Sequence, residues 1–176
     1  VEGSMRYEEE YLWLKSLRPI FSERKFISGP KPTWNNESEP IFDGANLCKL
    51  GDNVLFAINE TANKYGKIWL EENFPNINFS SIILEENISH IDTTIVPISS
   101  DTVLLNSNRL TENSLPSILN DWNKIWIKEE DLMQEGRLLG WRGASKWIGM
   151  NVLSLNENTL FISDIQVKLI ELLESK

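Results

Sequence analysis

Asn53-Val-Leu-Phe-Ala57 is a short apolar run opened by a turn residue, and it returns as Thr102-Val-Leu-Leu-Asn106 and again as Thr159-Leu-Phe-Ile-Ser163. The copies lie about 50 residues apart, and a period of that size points to one supersecondary unit repeated radially. Around the first copy, Pro40–Asn46 and Asn53–Ile58 read as strands, Thr61–Asn73 as a helix and Ser80–Leu84 as a strand. Around the second, Thr93–Ile98 and Thr102–Leu105 read as strands, Ser114–Asn120 as a short helix and Lys124–Ile127 as a strand. The third copy sits between Trp147–Leu155 and the Gln166–Glu174 helix, with Thr159–Ile162 as its strand. The order is ββαβ, ββαβ, ββα. The last unit has no closing strand, so Ile170 and Leu173 are expected to face nothing within this chain.

Upstream of the repeat, Ser4–Arg18 has helical spacing at Tyr7, Tyr11, Leu14 and Arg18, with Ser4 suited to cap its start and Pro19 to end it. A short strand is expected at Lys25–Ser28, followed by a Pro/Gly/Asn-rich connection from Gly29 to Pro40.

Composition limits the function classes. The 176 residues carry 17 Lys+Arg against 26 Asp+Glu, a formal net charge of −9, with 41% hydrophobic and 24% charged residues. This is a globular composition, and its negative balance repels phosphate backbones, so nucleic acid is not an expected partner. No apolar run approaches the ~18 residues that a membrane span requires. A single cysteine, Cys48, and a single histidine, His90, leave no internal disulfide framework and no Cys- or His-rich metal cluster. The first five residues, Val1 to Met5, have the features of neither a signal peptide nor a transit peptide, and a cytoplasmic location is expected. The chain reads as a piece of something longer.

Few side chains carry candidate chemistry. In His90-Ile91-Asp92, extended chain would point positions i and i+2 the same way, about 6.5–7 Å apart, with Ile91 turned into the core. A histidine there can shuttle protons, and a carboxylate can hold a planar guanidinium. A surface histidine beside a strand-end acid is the alternative. In Phe42-Asp43-Gly44-Ala45-Asn46, Asp43 suits the third member of a base-orienting relay, or simply an Asp-Gly turn. Arg109, in the loop after a strand, either clamps a carboxylate or is solvated. Ser145, in Ala144-Ser145-Lys146-Trp147, either offers its hydroxyl to substrate or caps the following segment. Leu47, Leu50 and Val54 surround Cys48 in sequence, which argues for packing over reactivity.

These pieces together resemble glycine amidinotransferase. Phe42–Asn46 is similar to that family's Phe-Asp-Ala-Ala-(Asp/Asn), and His90–Asp92 to its His-Ile-Asp. Leu105–Arg109 is similar to its Ser-Asn-x-x-Arg loop, and Ala144–Val152 to its Ser-Ser-Lys-Trp-x-x-Met-Asn-Val. Pro30–Thr33 matches its Pro-Lys-Pro-Thr, and the segment Met5–Lys25 also looks like the corresponding family region. The likeness covers essentially the whole chain with its spacing kept.

The resemblance implies the pentein fold, an α/β propeller of five ββαβ units around a central site. Residues 1–176 would form one incomplete domain of about three units, truncated at both ends. It also implies a cysteine that attacks the guanidinium carbon of arginine, releases ornithine and passes the amidino group to an acceptor amine. By position, His90 would be the acid/base, Asp43 its orienting partner, Asp92 the guanidinium holder, Arg109 the carboxylate binder and Ser145 a site-lining residue. No metal or organic cofactor is implied.

The departures are specific. The nucleophile belongs to a later unit, and Cys48 falls where the family has an apolar residue. A guanidinium-binding Asp of the first unit would lie upstream of Val1. Ala144 replaces a serine, and Asn46 stands where some relatives have Asp. On these grounds the chain alone is expected not to turn over. A guanidine hydrolase or deiminase of the same fold is one rival. A non-catalytic split or degenerate relative is another, with open unit edges that pair with a second copy or a complementary chain.

Overall fold

The computed structural model describes residues 9–23, 26–29, 38–85, 88–133 and 145–176. Among the described residues the first helix, α1, runs Glu9–Leu17 and stops just before Arg18-Pro19, where the proline ring excludes a further helical turn, while the expected start at Ser4 lies outside them. Over the described part of the expected Lys25–Ser28 strand, no strand forms. Residues 26–29 have no regular structure, and Lys25 lies outside the described residues, as does most of the connection that follows.

Unit one contains β1 (Leu47–Leu50), β2 (Asn53–Ile58), helix α2 (Lys64–Asn73) and β3 (Asn78–Ile83). β1 and β2 form a hairpin pairing Leu50 with Asn53, turned at Gly51, whose φ of 61° favours a residue without Cβ. β3 runs parallel to β2 from Asn53↔Asn78 to Ile58↔Ile83. Unit two repeats the plan with β4 (Ile95–Pro97) antiparallel to β5 (Thr102–Asn106), and β6 (Asn123–Ile127) parallel to β5. Unit three has the hairpin β7 (Leu153–Asn156) and β8 (Thr159–Phe161), followed by α3 (Val167–Glu174). The three sheets have strand orders β1-β2-β3, β4-β5-β6 and β7-β8.

Three expected elements differ. Pro40–Asn46 is not a strand. Asp43 accepts a hydrogen bond from the Ala45 amide and receives Asn46 at its own amide, which closes a 3-10 turn over Gly44–Asn46 and delays the strand to Leu47. Trp147–Leu155 likewise begins as a 3-10 turn, Lys146–Met150, before β7. Ser114–Asn120 is two 3-10 turns, Glu112–Ser114 and Ser117–Leu119. Pro116, with no amide hydrogen to donate, heads the second.

The core is layered. On β2, Phe56 faces the unit's own helix in a cluster with Leu70 and Phe79, while Leu55 and Ala57 face unit two. On β5, Val103 and Leu105 face that unit's own 3-10 connector at Leu119, while Leu104 faces unit three. The connector of unit two therefore fills the gap between its own sheet and that of unit one, α2 covers the face of sheet one turned away from unit two, and β2 and β5 are apolar on both faces. α3 packs as the connector of unit two does. Leu169 is fully buried, and Leu173 packs with it against the Val96, Leu104 and Ile127 side, so the expectation that Leu173 faces nothing is corrected. The outer face of sheet three is bare, with Leu153 61%, Leu155 54% and Phe161 61% exposed.

Candidate active site

Each unit opens with a 3-10 turn, and each turn is headed by one extended residue: Asp43 (φ −130°, ψ 177°), His90 (φ −133°, ψ 150°) and Ser145 (φ −71°, ψ 157°). Three of the five candidate residues thus occupy one repeated backbone position. The turns converge: the one at Ile91–Thr93 packs against both Gly44–Asn46 and Lys146–Met150. Radial repetition turns equivalent sequence positions toward a shared centre.

The histidine of unit two meets the acid of unit one. His90 Nε2 lies 3.6 Å from Asp43 Oδ2, with the two side chains 45% and 51% exposed, so the pair is open to a ligand and to solvent. Asp43 Oδ1 accepts from the Ala45 amide at 2.8 Å, which fixes the carboxylate and leaves Oδ2 to the imidazole. Asp92 does not reach the site through strand alternation. The backbone is extended only at His90 and turns at Ile91–Thr93, yet Ile91 is buried as the alternation required. Asn151, of unit three, donates from Nδ2 to Asp92 Oδ2 at 3.1 Å.

Arg109 Nη1 donates to Thr93 O at 3.1 Å, Thr93 Oγ1 at 2.7 Å and Thr94 Oγ1 at 2.8 Å. Nη1 thereby anchors the half-buried guanidinium to the Thr93–Thr94 turn. Burial pulls Arg109 below its ordinary value, opposed by the charges of Asp92 and Glu85. Burial pushes Asp92 up, opposed by the charge of His90 and the Asn151 hydrogen bond and reinforced by the charge of Asp43. Two carboxylates, an imidazole and a guanidinium therefore share one field. Ser145 is exposed, its carbonyl accepts from the Ile148 amide at 3.1 Å, and its side chain makes no cap bond. Ala144 lies outside the described residues.

Asparagines that sequence reasoning did not assign hold the turns. At the end of β2, Asn59 Oδ1 accepts from the Thr61 amide at 2.9 Å while Nδ2 donates to Ile88 O and Ser89 O, both at 2.8 Å. At the end of β5, Asn106 Oδ1 accepts from the Asn108 amide at 3.0 Å while Nδ2 donates to Thr93 O at 2.9 Å. The turn carrying His90 and Asp92 is thus pinned at its entry by unit one and at its exit by unit two. The available signal was an asparagine ending an apolar strand with a polar residue two positions on, the pattern of an Asx turn.

Cys48 plays no part here. It is 6% exposed, its Sγ lies 3.8 Å from Ile95 O, and burial pushes its thiol up to about 12. A thiol so placed stays protonated and is no nucleophile at neutral pH.

Repeated sheet units of this plan, with the candidate residues on neighbouring turns, are those of the pentein fold. The comparisons agree. The solved structure of an inosamine-phosphate amidinotransferase from Streptomyces griseus superposes with a TM-score of 0.84 at 28% identity, covering 97% of this chain and 53% of that one. Inosamine-phosphate amidinotransferase 1 of Streptomyces griseus is 29% identical over 164 residues, 92% of this chain and 47% of its own length. An L-arginine:L-lysine amidinotransferase of Pseudomonas savastanoi pv. phaseolicola is 28% identical over 182 residues, 89% of this chain and 49% of its own length. Over nearly its whole length the chain is similar to proteins named amidinotransferases. It spans about half the length of the curated relatives it matches. Glycine amidinotransferase, whose motifs it carries, stands further off, at 26% identity for the chicken protein. No family model matches the chain. Among the described residues, no helix is long and apolar enough to cross a membrane.

Proposed function

We propose that residues 1–176 are part of a propeller domain that moves the amidino group of arginine to an acceptor amine. In this reading a cysteine outside these residues attacks the guanidinium carbon, and the bond from that carbon to the ornithine nitrogen breaks. His90 delivers the proton to the departing amine and then takes one from the incoming amine, whose attack releases the thiolate. Asp43 orients the imidazole, Asp92 holds the guanidinium, Arg109 binds a substrate carboxylate, and Ser145 lines the pocket. The bare face of sheet three suits further units, whether supplied by adjoining polypeptide, a second copy or a complementary chain. The cytoplasm is the location proposed with it.

The observation that carries this reading is the pairing of the chain's sole histidine with Asp43 across two units at 3.6 Å. Arginine labelled in its guanidino carbon, incubated with an amine and the protein containing these residues, should yield amidinated amine and unlabelled ornithine. His90→Ala should lower turnover by roughly 10²–10⁴-fold, the usual worth of a general acid–base. Labelled citrulline or urea in place of amidinated amine would assign the protein to the hydrolases instead.

A further inference from the structure

Asn46 is fully buried between the first two units, and every polar atom of its side chain is engaged. Oδ1 accepts from the Asp43 amide at 2.9 Å. Nδ2 donates to Thr61 Oγ1 at 3.0 Å and also reaches Ser89 O and Asn59 Oδ1, each at 3.3 Å. Thr61 Oγ1 in turn donates to Ser89 O at 2.9 Å. One amide therefore grips the backbone of Asp43 on one side and, directly and through Thr61, the carbonyl preceding His90 on the other.

We propose that Asn46 is a positioning residue that sets the Asp43–His90 separation by tying the backbone of one to the backbone of the other. The inference rests on the reading that Asp43 orients His90. The primary amide presents an acceptor to the Asp43 amide and two donors to the Ser89 side. A hydrocarbon would strand the Asp43 amide and remove the donor to Thr61 Oγ1 and Ser89 O. The two turns belong to different units and are joined here by side chains: Asn46 ties the Asp43 backbone into the group that, with Asn59 and Thr61, holds Ser89 O.

The test reads the imidazole directly. His90 Nε2 faces Asp43, so the carboxylate favours the tautomer protonated on Nε2, and ring-nitrogen chemical shifts of the neutral imidazole report the two tautomers separately. Those shifts are measured on the substrate-free protein with Asn46→Ala, Asp43→Ala and both changes together. The expected result is that Asn46→Ala loses as much Nε2-protonated tautomer as Asp43→Ala, and that the double variant loses no more than either. A merely structural role would add its own change to that of Asp43→Ala. If Asn46→Ala leaves the tautomer as it was, or shifts it equally with and without Asp43, the proposal is wrong.

If Asp43→Ala is itself silent, the orienting role of Asp43 fails and the positioning role goes with it. Absence of amidino transfer by the unaltered protein, with the tautomers behaving as expected, would instead count against the proposed function alone. Should Asn46→Ala not fold, Thr61→Val decides. This change keeps the volume but removes the Thr61 link, and it should shift the tautomer in the same direction by less, whereas an unchanged tautomer overturns the proposal.

Discussion

Units one and two build the same sheet around different fillings. Both pair a hairpin antiparallel and then add a parallel strand, with Leu47↔Phe56 in one matching Ile95↔Leu105 in the other. Between the second and third strands, unit one has the ten-residue helix α2, while unit two has two three-residue 3-10 turns. The helix is capped by Asn63, whose Oδ1 accepts from the Gly66 amide at 2.9 Å, and it lies so close to the preceding segment that a Cβ on Gly66 would sit 2.7 Å from Ile41 O. Unit two achieves the same coverage with Leu119, fully buried from a turn. The plan thus demands an apolar plug in each layer and leaves its secondary structure free.

The comparison breaks most readily at the plugged strands. Phe56→Ala and Leu105→Ala remove equivalent buried side chains, and chemical unfolding should show losses of about 3–5 and about 2–5 kcal/mol. A much smaller loss at Leu105 would mean that the 3-10 connector collapses onto the gap as a helix cannot. Gly66→Ala should cost about 1–3 kcal/mol by overpacking. Gly44→Ala, where a Cβ meets nothing within 4 Å, should leave the unfolding midpoint where it is.

A third test sharpens the comparison at matched positions on β1 and β4. Cys48 pairs with Leu55 as Val96 pairs with Leu104. The folded thiol titrates at about 12 against an ordinary 9.0, so above pH 9 the unfolded chain sheds a proton that the folded one keeps. Stability therefore falls as pH rises from about 9 toward 12, by at most about 1.4 kcal/mol per pH unit. Cys48→Val, which installs the residue of unit two, should remove that alkaline slope in unfolding experiments across pH 8 to 11 (about two units above the thiol's usual range). The smallest loss expected is at the helix cap. Asn63→Ala should cost about 1 kcal/mol, seen as a lower melting temperature, with no counterpart to lose in unit two.

The middle strands were legible in the sequence because runs such as Val54–Ala57 and Val103–Leu105 are apolar without interruption, as strands buried on both faces must be. The 3-10 turns were not legible. A turn of three to five residues completes too little of a helical period to show one, and Gly44–Asn46 and Lys146–Met150 were absorbed into the strands they precede. Pro116 divided an expected helix for a local steric reason that the residue itself announces. At the site, Asp43, His90, Asp92 and Arg109 were nameable because their side chains are chemically distinctive. The asparagines at 46, 59, 106 and 151 act on backbone carbonyls, amides and one carboxylate brought in by the fold, which side-chain chemistry alone does not reveal.

Neither His90 nor Ser145 uses its side chain to cap the turn it heads. The turn at His90 is held instead through its backbone carbonyls, by Asn59 and Asn106. The head of such a turn works as a socket: what is plugged in can be exchanged while the mounting stays as it was. A lineage built on this plan can alter its reagent in one unit without disturbing those in the others, and repetition of the backbone becomes freedom of the chemistry.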